Sequence, residues 1–135
     1  MMTEGGEVAG GRPDSDGSAA VELRLPPEAE YLRLARYAAA DAATRAALGI
    51  DETDDVRLAV SELCTLLTGS GVTIRLRFVA SDGVVEVEGD GAPGPELSGD
   101  NGELAQTLVE AVVDEYRFSV LDGHASFLIR KHRGP

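Results

Sequence analysis

Two turn sequences constrain the fold of this chain more than anything else in it. Ser81-Asp82-Gly83 separates the alternating run Val72, Ile74, Leu76, Phe78 and Ala80 from a second apolar run over 84–88. Asp122-Gly123 separates apolar runs over 116–121 and 124–131. Alternation at period two gives a strand one apolar face, and an Asp-Gly pair readily adopts the positive φ of a tight reversal. Each turn therefore predicts an antiparallel hairpin with one face that must be covered.

Helical segments supply the cover. The stretch 28–48 is rich in Ala and Leu, with an apolar stripe at Leu32, Ala35, Ala39, Ala43 and Ala46 and a stop at Gly49. Asp54 and Asp55 suit the start of a second helix, whose stripe is Val56, Ala59, Val60, Leu63 and Leu67 and which ends at Gly69 and Gly71. A third helix is expected over 103–113, with Leu104, Leu108, Ala111 and Val112 on one apolar face. Val21, Leu23 and Leu25 alternate in a short strand closed by Pro26-Pro27, and 89–102 reads as an irregular loop. The order strand, helix, helix, hairpin, loop, helix, hairpin predicts an α+β fold. Its simplest form is a two-layer α/β sandwich, with three main helices on one face of a mixed, mostly antiparallel sheet. The hairpins do not fix where the first strand sits.

The domain is expected over 19–132, after a disordered acidic tail over 1–18 that is rich in Gly, Ser, Asp and Glu. With 24 acidic and 12 basic residues the net charge is −12, which disfavours duplex DNA or anionic lipid and favours a basic protein partner. No apolar run is long enough for a membrane span, and the single cysteine, Cys64, fits a cytoplasmic setting and reads as a buried inert thiol. His124 and His132 have no neighbours at ligand spacing, so no metal site is expected from them. Arg75 and Arg77 share the polar side of their strand, where they are either solvated or in contact with an acidic partner.

The second helix carries the segment with chemical content, Arg57-Leu-Ala-Val-Ser-Glu-Leu-Cys-Thr65. Residues four apart share a helix face, so Leu58, Glu62, Leu66 and Gly69 line one surface beside the core stripe. By spacing alone Glu62 is either an exposed helical carboxylate or a general base bordering a cleft. The segment resembles the corresponding helix of the RsbW-type anti-sigma factors, serine-protein kinases of the GHKL ATPase superfamily with a histidine-kinase-like ATPase fold. The order of elements from Val21 to Lys131 is similar as well. The resemblance implies that Glu62 is the base that activates a serine on a partner protein. It also implies that Leu66 stands where the family has the Asn that binds magnesium.

The remaining motifs of that family are eroded. Its first glycine box supplies an Asp for the adenine amino group, and the matching segment here is Val85-Glu-Val-Glu-Gly-Asp-Gly-Ala-Pro93. In the direct register Gly89 replaces that Asp, and Asp90 could serve only after a slip or bulge. Gly91 fits the first glycine, and Pro93 replaces the second. The second box corresponds to Gly102-Glu-Leu-Ala105 at a helix start, where Asp100 and Glu103 oppose a triphosphate. Metal, adenine and phosphate contacts are thus all altered. Losing the first two alone would cost several kcal/mol, at about 1.5–3 kcal/mol per charged hydrogen bond.

The resemblance implies a regulator that binds and sequesters an RNA polymerase sigma factor. Its implied antagonist is an anti-anti-sigma partner with a STAS domain, and its implied assembly is a homodimer. ATP and Mg are the cofactors of the family. With its nucleotide motifs degenerate, the chain is expected to be a pseudo-kinase. Two alternatives stand beside this reading: an active ATP-dependent serine-protein kinase, and a non-catalytic interaction module for another signalling protein.

Overall fold

The computed structural model describes residues 19–135; the tail expected over 1–18 lies outside them. The chain runs through β1 (Ala20–Leu25), α1 (Leu32–Arg45), α2 (Ile50–Thr65), β2 (Ile74–Ser81), β3 (Val84–Gly91), α3 (Asp100–Val112), β4 (Glu115–Leu121) and β5 (His124–His132). Short 3₁₀ turns at Ala29–Tyr31 and Pro95–Ser98 lead into α1 and α3. The five strands form one sheet in the order β1-β2-β3-β5-β4, and every neighbouring pair is antiparallel. The α+β sandwich read from the sequence is the fold observed. Both hairpins form at the expected turns, with Gly83 at φ 84°, and with Asp122 and Gly123 at φ 52° and 77°.

The core lies between the sheet and the helices. Ile74, Leu76 and Phe78 of β2, Val85 and Val87 of β3, and Ala125, Phe127 and Ile129 of β5 supply its sheet side. The stripes predicted for α1 and α2 are buried in full, including every alanine of the first. Those alanines let α1 and α2 pack closely. Among the described residues no polar or charged residue is buried, so the core is sorted by apolar burial alone.

Three differences from the sequence reading bear on the site. The second helix starts at Ile50, four residues before Asp54, because Gly49 serves as its N-cap and donates its N–H to Oε1 of Glu52 at 2.7 Å. The strand β3 continues through Gly89-Asp90-Gly91, which the sequence assigned to a loop. Gly89 belongs in the strand because Phe127 and Leu76 fill the space a side chain would take there. The third helix starts at Asp100 and turns a different face inward. Gly102, Ala105 and Val109 are buried, while Leu104 and Leu108 are 57% and 38% exposed. Small residues win the inner face because Gly102 lies directly against the carbonyl of Leu97, where a side chain does not fit.

On the other face of the sheet, charged side chains lie in cross-strand rows. Arg77 sits 3.8 Å from Glu22 and 3.6 Å from Glu88, and Arg130 bonds Glu86 at 2.6 Å with Glu115 at 3.8 Å. No described helix is long and apolar enough to cross a membrane.

Candidate functional site

The residues singled out by sequence divide between two places. Glu62 lies on the flank of α2 that faces α3. Lys131 fixes that orientation: its Nζ is 3.1 Å from Oδ2 of Asp55 on α2 and donates to the Val112 carbonyl at the end of α3 at 2.7 Å. Glu62 follows Asp55 by two helical turns and so occupies the same flank. It is half-buried, and no hydrogen bond or ion pair engages it among the described residues. A carboxylate in that state is open to pair with an incoming cation.

Leu66 stands one turn beyond Glu62, and it is not on the surface. It is 1% exposed, at the C-cap of α2. The loop that follows β3 closes over this helix end. The Gly94 N–H donates to the Leu66 carbonyl at 2.7 Å, Gly94 is buried, and Pro95 lies against Gly69. The Gly69 N–H donates to the Pro27 carbonyl at 2.8 Å, tying the same end of α2 to the segment after β1. Gly94 has no room for a side chain, because its Cβ would meet the Thr68 carbonyl oxygen, with the Thr68 carbonyl carbon at 3.0 Å and the Leu66 oxygen at 3.2 Å. The surface continuing from Leu58 through Glu62 to Leu66 therefore stops at Glu62.

The glycine-box residues go elsewhere. The pairing of β3 with β2 and β5 is unbroken through Arg75↔Asp90↔Ser126, so no bulge re-aims Asp90. Gly91 next to it approaches Leu67, in the turn just past α2 on the helix side, which puts Asp90 on the opposite face of the sheet from the helices. Asp90 and Glu62 thus face away from each other across the sheet. Gly89 is filled over by Phe127 and Leu76 on the helix side. Gly102 is buried in the first turn of α3, with its N–H bonded to the Gly99 carbonyl at 3.0 Å. Asp100 and Glu103 give that turn two negative charges. An open cleft of about 1040 Å³ is lined by Arg24, Arg75, Arg77, Asp90, Tyr116 and Phe127 among others, and neither Glu62 nor Leu66 borders it.

Of the remaining candidates, Cys64 is fully buried and burial pushes its thiol up to about 12. The phenol of Tyr116 is likewise pushed up to about 12, first by burial and then by the charge of Glu110, and its hydroxyl donates to Oε1 of Gln106 at 2.7 Å. His124 and His132 are exposed. Among the described residues no group of three or more His, Cys, Asp or Glu could hold a metal ion.

Sequence reasoning missed the exposure of Leu104 and Leu108 and the bridging role of Lys131. The small residues Gly102 and Ala105, three apart and in step with Val109, were the available signal for the true inner face of α3.

No protein-family model matches this chain. Among curated proteins it is similar to serine-protein kinases RsbW from Bacillus cereus (strain AH187), Bacillus thuringiensis (strain Al Hakam) and Bacillus mycoides (strain KBAB4). Each is 36% identical to it over 45 residues, or 33% of this chain. The match spans 28% of the length of each of those relatives.

Proposed function

We propose that this chain is an anti-sigma-factor-like regulator that binds and sequesters an RNA polymerase sigma factor without nucleotide-dependent phosphotransfer. The partial similarity to RsbW kinases supports the choice of partner class. The observation that carries the loss of nucleotide chemistry is the sealed end of α2, where Leu66 is covered and its carbonyl is taken by Gly94. The residues at the motif positions do not suit a magnesium nucleotide. Leu66 offers no hard oxygen ligand. Asp90 stands on the far face of the sheet, and Asp100 and Glu103 would repel phosphate at the start of α3.

A second reading, an active serine-protein kinase, is favoured by one observation: Glu62 is retained, partly exposed and unpaired among the described residues. Calorimetry with Mg-ATP separates the two. Affinity in the micromolar range would refute the loss of nucleotide binding, and phosphate transfer to a STAS-domain serine would establish the kinase.

The partner part of the proposal, including release by a STAS-domain antagonist and self-association as a homodimer, is tested by capturing the purified chain with the host's sigma factors and STAS proteins. Sedimentation measured alongside reads the dimer. Capture of a sigma factor, reversed by a STAS protein, is the expected outcome. Binding to neither class would overturn the proposal and leave an interaction module for another signalling protein.

A further inference from the structure

Exposed leucines and unpaired carboxylates coincide along the outer surface of the seam between α2 and α3. The two helices run antiparallel there, since Asp55 meets Val112 through Lys131 while Leu66 meets the loop ahead of α3. The shared rise of about 1.5 Å per residue then sets Leu58 level with Leu108, and Glu62 level with Leu104 and Ala105. Leu58 is 38% exposed. With Leu104, Leu108 and the exposed Ala111 it makes an apolar strip one helix wide.

The rim of the strip is negative. The helix α3 carries Asp100 and Glu103 in its first turn and no basic residue, its Glu110 turning instead towards Tyr116, and the one basic residue of α2, Arg57, is 3.4 Å from Asp54. Among the described residues no ion pair engages Glu62, Asp100 or Glu103. An apolar strip rimmed by carboxylates complements a helix with apolar residues at three- and four-residue steps flanked by Lys and Arg. An acidic partner, an anionic lipid surface or the same face of a second copy would meet like charge.

We propose that the α2–α3 seam is the docking surface for a basic amphipathic helix of the partner protein, with Glu62 pairing a cation of that helix. The inference rests on the sigma-binding reading for the partner's identity, not for its chemistry. Glu62 is half-buried, so a cation seated on it is shielded from solvent more than a rim pair would be.

The test uses a labelled synthetic helix of about 18 residues, with leucines at heptad spacing flanked by lysines, and a scrambled peptide of the same composition. Fluorescence anisotropy measures their affinity for the full chain at about 0.1 M salt, close to physiological screening. The periodic peptide is expected to bind roughly tenfold or more tightly than the scrambled one. The double substitution Leu104→Ser with Leu108→Ser should weaken it by roughly tenfold, and Glu62→Gln by roughly threefold, as expected for central contacts. All three positions are at least partly exposed, so an unchanged melting temperature confirms that the variants fold. Equal binding of the scrambled peptide, or unchanged affinity in the double variant, would overturn the docking surface. A sigma factor captured equally by the parent and the double variant would also overturn it while leaving the proposed function intact. Peptide binding without capture of any sigma factor would do the reverse.

Discussion

Replacing Gly94 with Ala tests how the end of α2 is sealed. The new Cβ would collide with the Thr68 carbonyl and stand 3.2 Å from the Leu66 oxygen, and both obstacles are backbone atoms. They cannot rotate away as the end of a side chain could, so the loop must lift. Lifting it breaks the 2.7 Å bond from the Gly94 N–H to the Leu66 carbonyl. That loss costs about 0.5–1.5 kcal/mol. Leu66 is 1% exposed, and uncovering about half of it costs roughly another 1 kcal/mol, given about 1.5–3 for full burial of such a side chain. The sum, about 2 kcal/mol, corresponds to a fall in melting temperature of about 6–12 °C for a domain of this size. Urea unfolding followed by circular dichroism gives the free energy directly. Gly91→Ala is the control: its Cβ meets nothing closer than 3.5 Å, and the change should stay within about 0.5 kcal/mol of the parent. If the two variants prove equally stable, the loop does not seal α2 as described.

Two further substitutions, a thiol-reactivity measurement and a titration probe the same architecture. Lys131→Met leaves the Asp55 carboxylate and the Val112 carbonyl without their shared partner, so it should destabilise the chain by about 1–3 kcal/mol in urea unfolding. Leu66→Asn puts an amide into a covered apolar position; a loss of about 1–3 kcal/mol and no gain in Mg-ATP affinity by calorimetry are expected. The thiol of Cys64 should react with a disulfide reagent only on unfolding, and a native rate equal to that in denaturant would contradict its burial. Alkaline pH should also destabilise the fold. Cys64 and Tyr116 both have folded values of about 12, against 9.0 and 10.0 for the free groups, so the unfolded chain ionises first. Their contribution is fully present below pH 9 and is lost as pH rises towards 12. A urea midpoint that stays flat over that range in the parent, or fails to flatten near pH 9–10 in Cys64→Ala, would count against this account.

The fold was readable where periodicity and strong turn chemistry agreed. Both hairpins and the stripes of α1 and α2 came out where the alternation and the three- and four-residue spacings put them. Periodicity misled on α3, because the large apolar residues Leu104 and Leu108 mark the outer face while Gly102 and Ala105 mark the inner one. Hydrophobicity ranks a leucine above a glycine, but the space against the Leu97 carbonyl admits only the smaller residue. Gly89-Asp90-Gly91 looked like a loop for a related reason: the side chains that fill the strand at Gly89 belong to Phe127 and Leu76, which are distant in sequence. The candidate site was legible one residue at a time. Helix spacing put Glu62 and Leu66 on one face, and the resemblance to RsbW-type proteins marked Leu66 and Gly89 as departures and left Asp90 as a substitute only if the strand slipped. The closure over Leu66 depends on the tertiary contact with Gly94, and the facing of Asp90 on strand register, and neither can be read from helix spacing.

The bridge made by Lys131 has a consequence for molecular recognition. Together with the closed loop at the other end of α2, it restrains α3 from two sides: the Lys131 ammonium holds its last turn, and the Gly94 N–H ties down the loop that leads into its first. The leucines between them are thus mounted on a beam supported at two points, and its spacing from α2 is set before any partner arrives. Such a beam forfeits little conformational entropy when something settles on it. A change at Lys131 would therefore register as a weaker grip and a faster release at residues that Lys131 itself never touches.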